Sequence, residues 1–163
     1  MPEQVEFVWD ASLETKIPWI DTQHKKLLEN LNALLNIVTS KKNYSQAGHV
    51  LSFLTKYVKA HFGTEEQFML KYGYHQYGRH KKKHDEFIVT IAQLNKAYYE
   101  CESSDKFAIK LLYEFWRWYK QHINKYDRAF AEFLKLRKAH TIDKSAEEML
   151  DELLESYGNE DVE

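Results

Sequence analysis

The amino-acid sequence predicts an all-α protein, an up-down-up-down four-helix bundle with an N-terminal arm and an extra C-terminal helix. Three observations support this prediction. Apolar residues recur with the 3.6-residue period of an amphipathic helix, and the sequence lacks the two-residue alternation of a half-buried strand. Proline occurs only at Pro2 and Pro18, so no proline interrupts a helix beyond residue 18. Four amphipathic helices joined by short loops are typical of an antiparallel bundle.

The arm leads into four predicted helices, which span roughly residues 21–40, 44–72, 76–100 and 105–125. Each helix has one apolar stripe. In the first helix this stripe is Leu28, Leu31, Leu35 and Val38. Gly73 and Gly78 are predicted to bracket the turn between the second and third helices.

The end of the chain predicts a separate element. We expect residues 1–138 to form the bundle with its arm, and residues 139–163 to form an acidic amphipathic extension. Ile142, Ala146, Met149, Leu150, Leu153 and Tyr157 recur at helical spacing. Two interpretations are open: a fifth helix that packs on the bundle, or a helix in residues 141–163 that docks a protein partner.

Composition excludes several classes of function. The formal net charge of -2 gives no reason to expect a nucleic-acid partner. A single cysteine excludes an intramolecular disulfide framework and a cysteine-rich metal site. The sequence has neither the pattern of a signal peptide nor an apolar run of transmembrane length, so we expect a cytoplasmic protein with no membrane partner.

Polar residues interrupt the apolar stripes at one level of the bundle. In an antiparallel arrangement the start of the first helix meets the late second helix, the start of the third and the end of the fourth. An ionised carboxylate buried there without a partner costs several kcal/mol, and a metal centre removes that cost. One such histidine is usually a hydrogen-bonded core residue, but coincidence explains this set poorly: His24, His61, Glu65, His80, His84 and His122.

The types of ligand restrict the metal. Imidazole and carboxylate without thiolate suit iron, manganese or zinc. Five histidines are too many for one ion, so two ions that share carboxylates are expected. Asp127 is the candidate for a second shared carboxylate, but it follows His122 by five residues, which is about 140° of rotation on a regular helix. The helix must therefore distort or end near residues 124–126 if Asp127 is to reach the metal.

At these positions the sequence resembles the hemerythrin family, in its bacterial single-domain form. The resemblance covers about residues 7–137. It is carried by Trp9 and by four segments in the same order: IDTQH (20–24), HFGTEEQFM (61–69), HKKKHDEF (80–87) and HINKYD (122–127).

The resemblance implies a non-haem di-iron site. It assigns one iron to His80, His84 and His122, and the second iron to His24 and His61. Glu65 and Asp127 bridge the two ions together with a solvent-derived oxygen. Dioxygen would bind reversibly at an open position of the second iron, for storage, delivery or sensing, and the protein would not be an enzyme. Two alternatives stay open: an oxidoreductase acting on peroxide or nitric oxide, and an oxygen-sensing module that uses the C-terminal helix.

Five residues next to the ligands are expected to line the oxygen pocket: Leu27, Phe62, Trp118, Tyr119 and Ile123. One of them departs from the family pattern, because Tyr119 stands where a leucine is usual. Its phenol would either hydrogen-bond to bound oxygen or bring protons to it. The sequence alone favours proton access, so Tyr119→Leu is expected to slow the decay of the oxygenated protein.

Overall fold

Six α-helices make up the fold in the computed structural model, which describes residues 6–40, 44–100, 105–138 and 144–158. The helices are α1 (Pro18–Ser40), α2 (Tyr44–Tyr72), α3 (Tyr77–Tyr99), α4 (Asp105–His122), α5 (Arg128–Leu136) and α6 (Lys144–Gly158). A short 3₁₀ turn, Ala11–Leu13, precedes α1, and a π-helical segment, Ile123–Asp127, joins α4 to α5.

The first four helices close into the predicted bundle. Each contacts the next along the chain, and α4 also contacts α1. Apolar residues of all four helices fill the core, among them Leu31, Leu54, Phe87, Ile91 and Phe115. The described residues contain no strand, and none of their helices is long and apolar enough to cross a membrane. The predicted fold class is confirmed.

The start of α1 lies three residues before its predicted position, and local capping explains why. Proline is favoured at the first helical position, because its missing N–H would have no partner there in any case. The Asp21 carboxylate accepts hydrogen bonds from the backbone N–H groups of Thr15 and Lys16, at 2.8 and 3.0 Å. These bonds hold the chain before Pro18 and so fix where His24 lies on the helix.

The turn between α2 and α3 depends on one glycine. Gly73 has a φ of +69°, a conformation that a side chain disfavours. The N–H of Tyr74 donates to the carbonyl of Met69 at 2.8 Å, which is the six-residue bond of a Schellman motif. Gly78 already lies within α3, so the prediction that it closes the turn is wrong.

The fourth predicted helix does not end near residue 125. It widens into the π-helical segment at Ile123–Asp127 and continues as α5 to Leu136. One π turn inserts an extra residue, which changes the direction of the side chains that follow. The distortion predicted from the spacing of His122 and Asp127 is therefore confirmed.

The N-terminal arm is anchored between α1 and α4. The backbone N–H of Phe7 donates to the Asn32 side-chain oxygen, and the Asn32 amide donates to the Phe7 carbonyl, both at 2.9 Å. The Phe7 ring packs edge-on against Tyr113 and beside Trp116. The arm therefore contributes the Phe7 ring to the core, where Leu13 of the same arm is also buried.

Helix α6 packs on the outer face of α2, so for residues 144–158 the interpretation of a self-packed fifth helix is confirmed. Ala146 is fully buried, and Met149 and Leu150 are partly buried against the core. A Cβ atom at Gly63 would lie 3.0 Å from a methyl carbon of Leu153, so the glycine allows close approach. The outer face of α6 exposes five acids: Glu147, Glu148, Asp151, Glu152 and Glu155.

Candidate metal centre

All seven candidate ligands predicted from the sequence meet inside the bundle. Helix α1 contributes one residue, α2 and α3 contribute two each, α4 contributes one, and the π-helical segment contributes the last. None exposes more than 2% of its surface. The residues are His24, His61, Glu65, His80, His84, His122 and Asp127.

These residues form two groups that share both carboxylates. Within each group one ligand atom per residue lies within 4.8 Å of all the others. The Nε2 atoms of His80 and His84 lie 3.1 and 3.2 Å from Nε2 of His122. The first group thus has three imidazoles and two carboxylates, and the second consists of His24, His61 and the same two carboxylates.

Each oxygen of Glu65 faces a different group. Oε1 lies 3.5 Å from Nε2 of His61. Oε2 lies 3.2 Å from Nε2 of His84 and 3.6 Å from Nε2 of His80. Neither oxygen has a hydrogen-bond partner among the described residues. The carboxylate is therefore oriented across the space between the two histidine groups.

Asp127 repeats this arrangement from the other side. Its Oδ2 atom lies 3.0 Å from Nε2 of His24, whereas Oδ1 lies 2.9 Å from Nε2 of His122 and 3.0 Å from Nε2 of His80. These contacts are close, but the Asp127 oxygens lack the geometry of hydrogen bonds to the imidazoles. The π-helical segment makes the contacts possible, because it turns Asp127 onto the face of His122.

Two residues that the sequence reasoning did not single out hold the imidazoles from outside. The Gln23 side-chain oxygen lies 2.7 Å from Nδ1 of His61, and a Glu66 oxygen lies 2.9 Å from Nδ1 of His84. An Nδ1–H that donates to such a partner leaves the Nε2 lone pair free for a metal. Both residues adjoin candidate ligands in the sequence, and this adjacency was the available signal.

Burial favours the neutral form of three of the imidazoles. It lowers the pKa of His61, His84 and His122, and neighbouring imidazoles lower the pKa of the first two further. Neutral imidazole is the form that binds metal.

The two central carboxyls behave differently from each other. Burial, and then the charge of Asp127, raises the pKa of Glu65 well above its usual value. Burial also acts to raise the pKa of Asp127, but the contacts with His122, His24 and His80 outweigh it and hold that pKa well below the usual range. Two carboxyls this close resist ionising together. Cations between them would remove the conflict, so the donor set fits a pair of metal ions.

Two of the predicted pocket residues cover the first group. The Phe62 ring stacks on His84 with centroids 3.8 Å apart and an interplanar angle of 4°. The Trp118 ring stacks on His122 with centroids 4.6 Å apart and an angle of 12°. They pack against imidazoles of the three-histidine side.

Tyr119 lies on the other side. Its ring meets that of His24 edge-on, with centroids 5.4 Å apart, and its hydroxyl has no hydrogen-bond partner among the described residues. Burial, followed by Asp127 and Glu65, raises the pKa of the phenol well above its usual value. Leu27 and Ile123 are buried in the same hydrophobic core. The ring of Trp9, from the arm, also lies near His24, with ring centroids 6.4 Å apart.

Two of the remaining histidines lie away from the centre. His49 and His75 are exposed, as expected for surface residues. His140 lies outside the described residues.

A four-helix bundle with a buried centre of imidazoles and carboxylates defines a class of non-thiolate metalloproteins. The profile of the family described as "Hemerythrin HHE cation binding domain" matches residues 15–134. Bacteriohemerythrin of Stenotrophomonas maltophilia is 31% identical over 129 residues, which are 78% of this chain and 81% of the relative. Bacteriohemerythrin of Clostridium acetobutylicum is 29% identical over 127 residues, which are 76% of this chain and 98% of the relative.

A solved structure agrees with these sequence relatives. The crystal structure of a wild-type hemerythrin superposes with a TM-score of 0.69 at 29% identity, covering 78% of this chain and 97% of that one. The chain belongs to the hemerythrin family, whose members are non-haem iron proteins that bind dioxygen.

Proposed function

We propose that this chain holds two iron ions and binds dioxygen reversibly at the side of the centre that carries His24 and His61. His80, His84 and His122 hold one ion, and His24 and His61 hold the other. Glu65 and Asp127 would supply a carboxylate oxygen to each ion.

One observation carries the proposal: both buried carboxyls direct one oxygen to each histidine group. Glu65 faces His61 with Oε1 and His84 with Oε2, at 3.5 and 3.2 Å. Asp127 faces His24 with Oδ2 and His122 with Oδ1, at 3.0 and 2.9 Å. A single ion would not need this arrangement, whereas two bridged ions need both oxygens of each carboxylate.

The unequal histidine groups support an open position on one ion. Two imidazoles serve the His24 side and three serve the other. When bound, the iron pair supplies the two electrons that dioxygen takes up. Tyr119 lies at the side with fewer ligands, while Phe62 and Trp118 cover the imidazoles of the opposite side and exclude water there.

Reversible oxygen binding is proposed over catalysis because the set of ligands carries little negative charge. Five neutral imidazoles and two carboxylates stabilise highly oxidised iron less than the carboxylate-rich sites of ferritin-like bundles, which use Glu-x-x-His on two helices. The sequence contains no Glu-x-x-His. An oxidoreductase acting on peroxide or nitric oxide is the alternative, and rapid steady turnover with either compound would favour it.

The apolar face of α6 is already occupied by α2. A protein partner for residues 141–163 therefore has no support in the described contacts.

The test is an optical spectrum of the reduced protein before and after exposure to air. We expect a new charge-transfer band in air that disappears when oxygen is removed and returns when oxygen is readmitted. A spectrum that does not change in air, or one that changes once and does not revert, would contradict reversible binding.

A further inference from the structure

Among the residues that the structure describes, two of the five central imidazoles are held at Nδ1 by another side chain, and the two partners differ in chemistry. His84 faces the Glu66 carboxyl at 2.9 Å, and His61 faces the Gln23 amide oxygen at 2.7 Å. For His24, His80 and His122, the Nδ1 atom has no hydrogen-bond partner among the described residues. Each histidine group thus contains one imidazole with an outer partner, and only one of these partners can be anionic.

The surroundings of the two partners match this difference. The Glu66 side chain is 20% exposed, so water can solvate an anion there. Burial raises the pKa of the Glu66 carboxyl to about 7, and the charge of Lys81 acts against this shift. Gln23 is only 3% exposed and lies inside the bundle, where an unpaired anion would be costly. The fold therefore accommodates a carboxylate beside His84 and favours a neutral group beside His61.

The chemical effect of the two partners is unequal. An imidazole that donates its Nδ1–H to a carboxylate becomes a stronger base at Nε2, whereas an amide partner fixes the ring with a smaller effect on its basicity. A more basic ligand stabilises the higher oxidation state of a bound metal.

We propose that Glu66 and Gln23 make the two halves of the metal centre electronically unequal. Glu66, acting through His84, makes the three-histidine side the stronger donor. Gln23, acting through His61, leaves the two-histidine side the weaker donor. Both are positioning residues, and this inference rests on the proposed di-iron function.

The first test is Glu66→Gln, which keeps the size of the side chain and an acceptor oxygen but removes the charge. The readout is the midpoint potential of the iron pair, measured by spectroelectrochemistry. We expect the potential to rise by about the equivalent of a tenfold change in the redox equilibrium, ~59 mV for a one-electron couple. Glu86→Gln is the matched control, because it removes a carboxylate from the exposed surface of α3, where Glu86 pairs with Lys83.

The second test is the reciprocal variant, Gln23→Glu, for which the potential should fall. Opposite shifts in the two variants support the proposal. A Glu66→Gln shift no larger than that of the control overturns it. If Glu66→Gln does not retain iron, the position of the His84 proton in the metal-free protein decides the matter.

A third measurement needs no metal, so it separates this inference from the proposed function. In the metal-free protein, nitrogen NMR of the imidazoles should find the His84 proton on Nδ1, and Glu66→Leu should give a mixture of tautomers. An unchanged tautomer in Glu66→Leu would overturn the contact on which the proposal stands. A parent protein that never binds two irons would refute the proposed function but leave this tautomer result valid.

Discussion

Replacement of Tyr119 tests how a phenol acts in a pocket that is usually apolar in this family. Tyr119→Phe removes only the hydroxyl, and Tyr119→Leu restores the usual residue. From the sequence alone, proton access was expected to dominate. The structure favours the opposite outcome, because Tyr119 is 1% exposed and offers no route to bulk water. Burial also raises the pKa of the phenol, so its proton is held more firmly than usual.

The magnitude follows from a single hydrogen bond. The Tyr119 hydroxyl has no partner among the described residues, so it is free to donate to oxygen bound on the His24 side. A net hydrogen bond contributes about 0.5–1.5 kcal/mol. At about 1.4 kcal/mol for each factor of ten, both variants should lose the oxygenated form roughly 2- to 12-fold faster.

The assay is the decay of the oxygenated absorption band in air for the parent and both variants. The thermal midpoint of the metal-free proteins is the control. Tyr119→Phe removes a buried hydroxyl that no described residue pairs with, which should stabilise the fold by about 1–3 kcal/mol. Slower decay in both variants would refute the hydrogen-bond account. It would instead support the hypothesis that the phenol brings protons to bound oxygen. Equal decay in all three proteins would mean that the hydroxyl does not reach bound oxygen.

Three further predictions concern the ligands, the pH dependence and α6. Glu65→Ala should lower iron retention by at least about tenfold, measured by competition with a chelator, since it removes an oxygen from both histidine groups; retention equal to that of the parent would contradict bridging. The metal-free protein should lose stability as the pH falls from 6.5 to 4.5, measured by urea unfolding. Below pH 6.5 the unfolded chain binds protons that the folded chain binds less readily at His61, His84 and His122. This difference amounts to at most about 4 kcal/mol per pH unit. The raised pKa of Glu65, and that of Glu66 at about 7, oppose this by about 1.4 kcal/mol per unit each. A net loss of about 1 kcal/mol per unit is therefore expected, and stability that rises as the pH falls would contradict the buried neutral imidazoles. Leu153→Ala should reduce stability by about 1–2 kcal/mol, while Glu152→Ala on the exposed face of α6 should change it by less than about 0.5; equal effects would mean that α6 does not pack on α2.

Helical periodicity was sufficient to predict the bundle and the level of the metal centre. The prediction for α2 matches Tyr44–Tyr72, because a long apolar stripe identifies a helix and Gly73 marks its end. The spacing between His122 and Asp127 also predicted a distortion, since a regular helix cannot direct both side chains to one point. Such arguments work because they depend only on angles along one helix.

Contacts between helices were harder to predict. Gln23 and Glu66 touch imidazoles on other helices, and no periodicity within a single helix indicates which neighbour a polar side chain meets. The start of α1 was predicted too late because Asp21 caps a turn that precedes the apolar stripe. The continuation of the chain into α5 was missed because a required distortion does not show whether the helix ends or resumes.

The number of irons per chain tests the central claim most directly. Protein produced in iron-sufficient medium should contain two irons for each polypeptide, measured by elemental analysis against a quantitative amino-acid determination. Two irons are expected because Glu65 and Asp127 each present one oxygen to each of two histidine groups. A single tightly bound zinc and no iron would contradict the account.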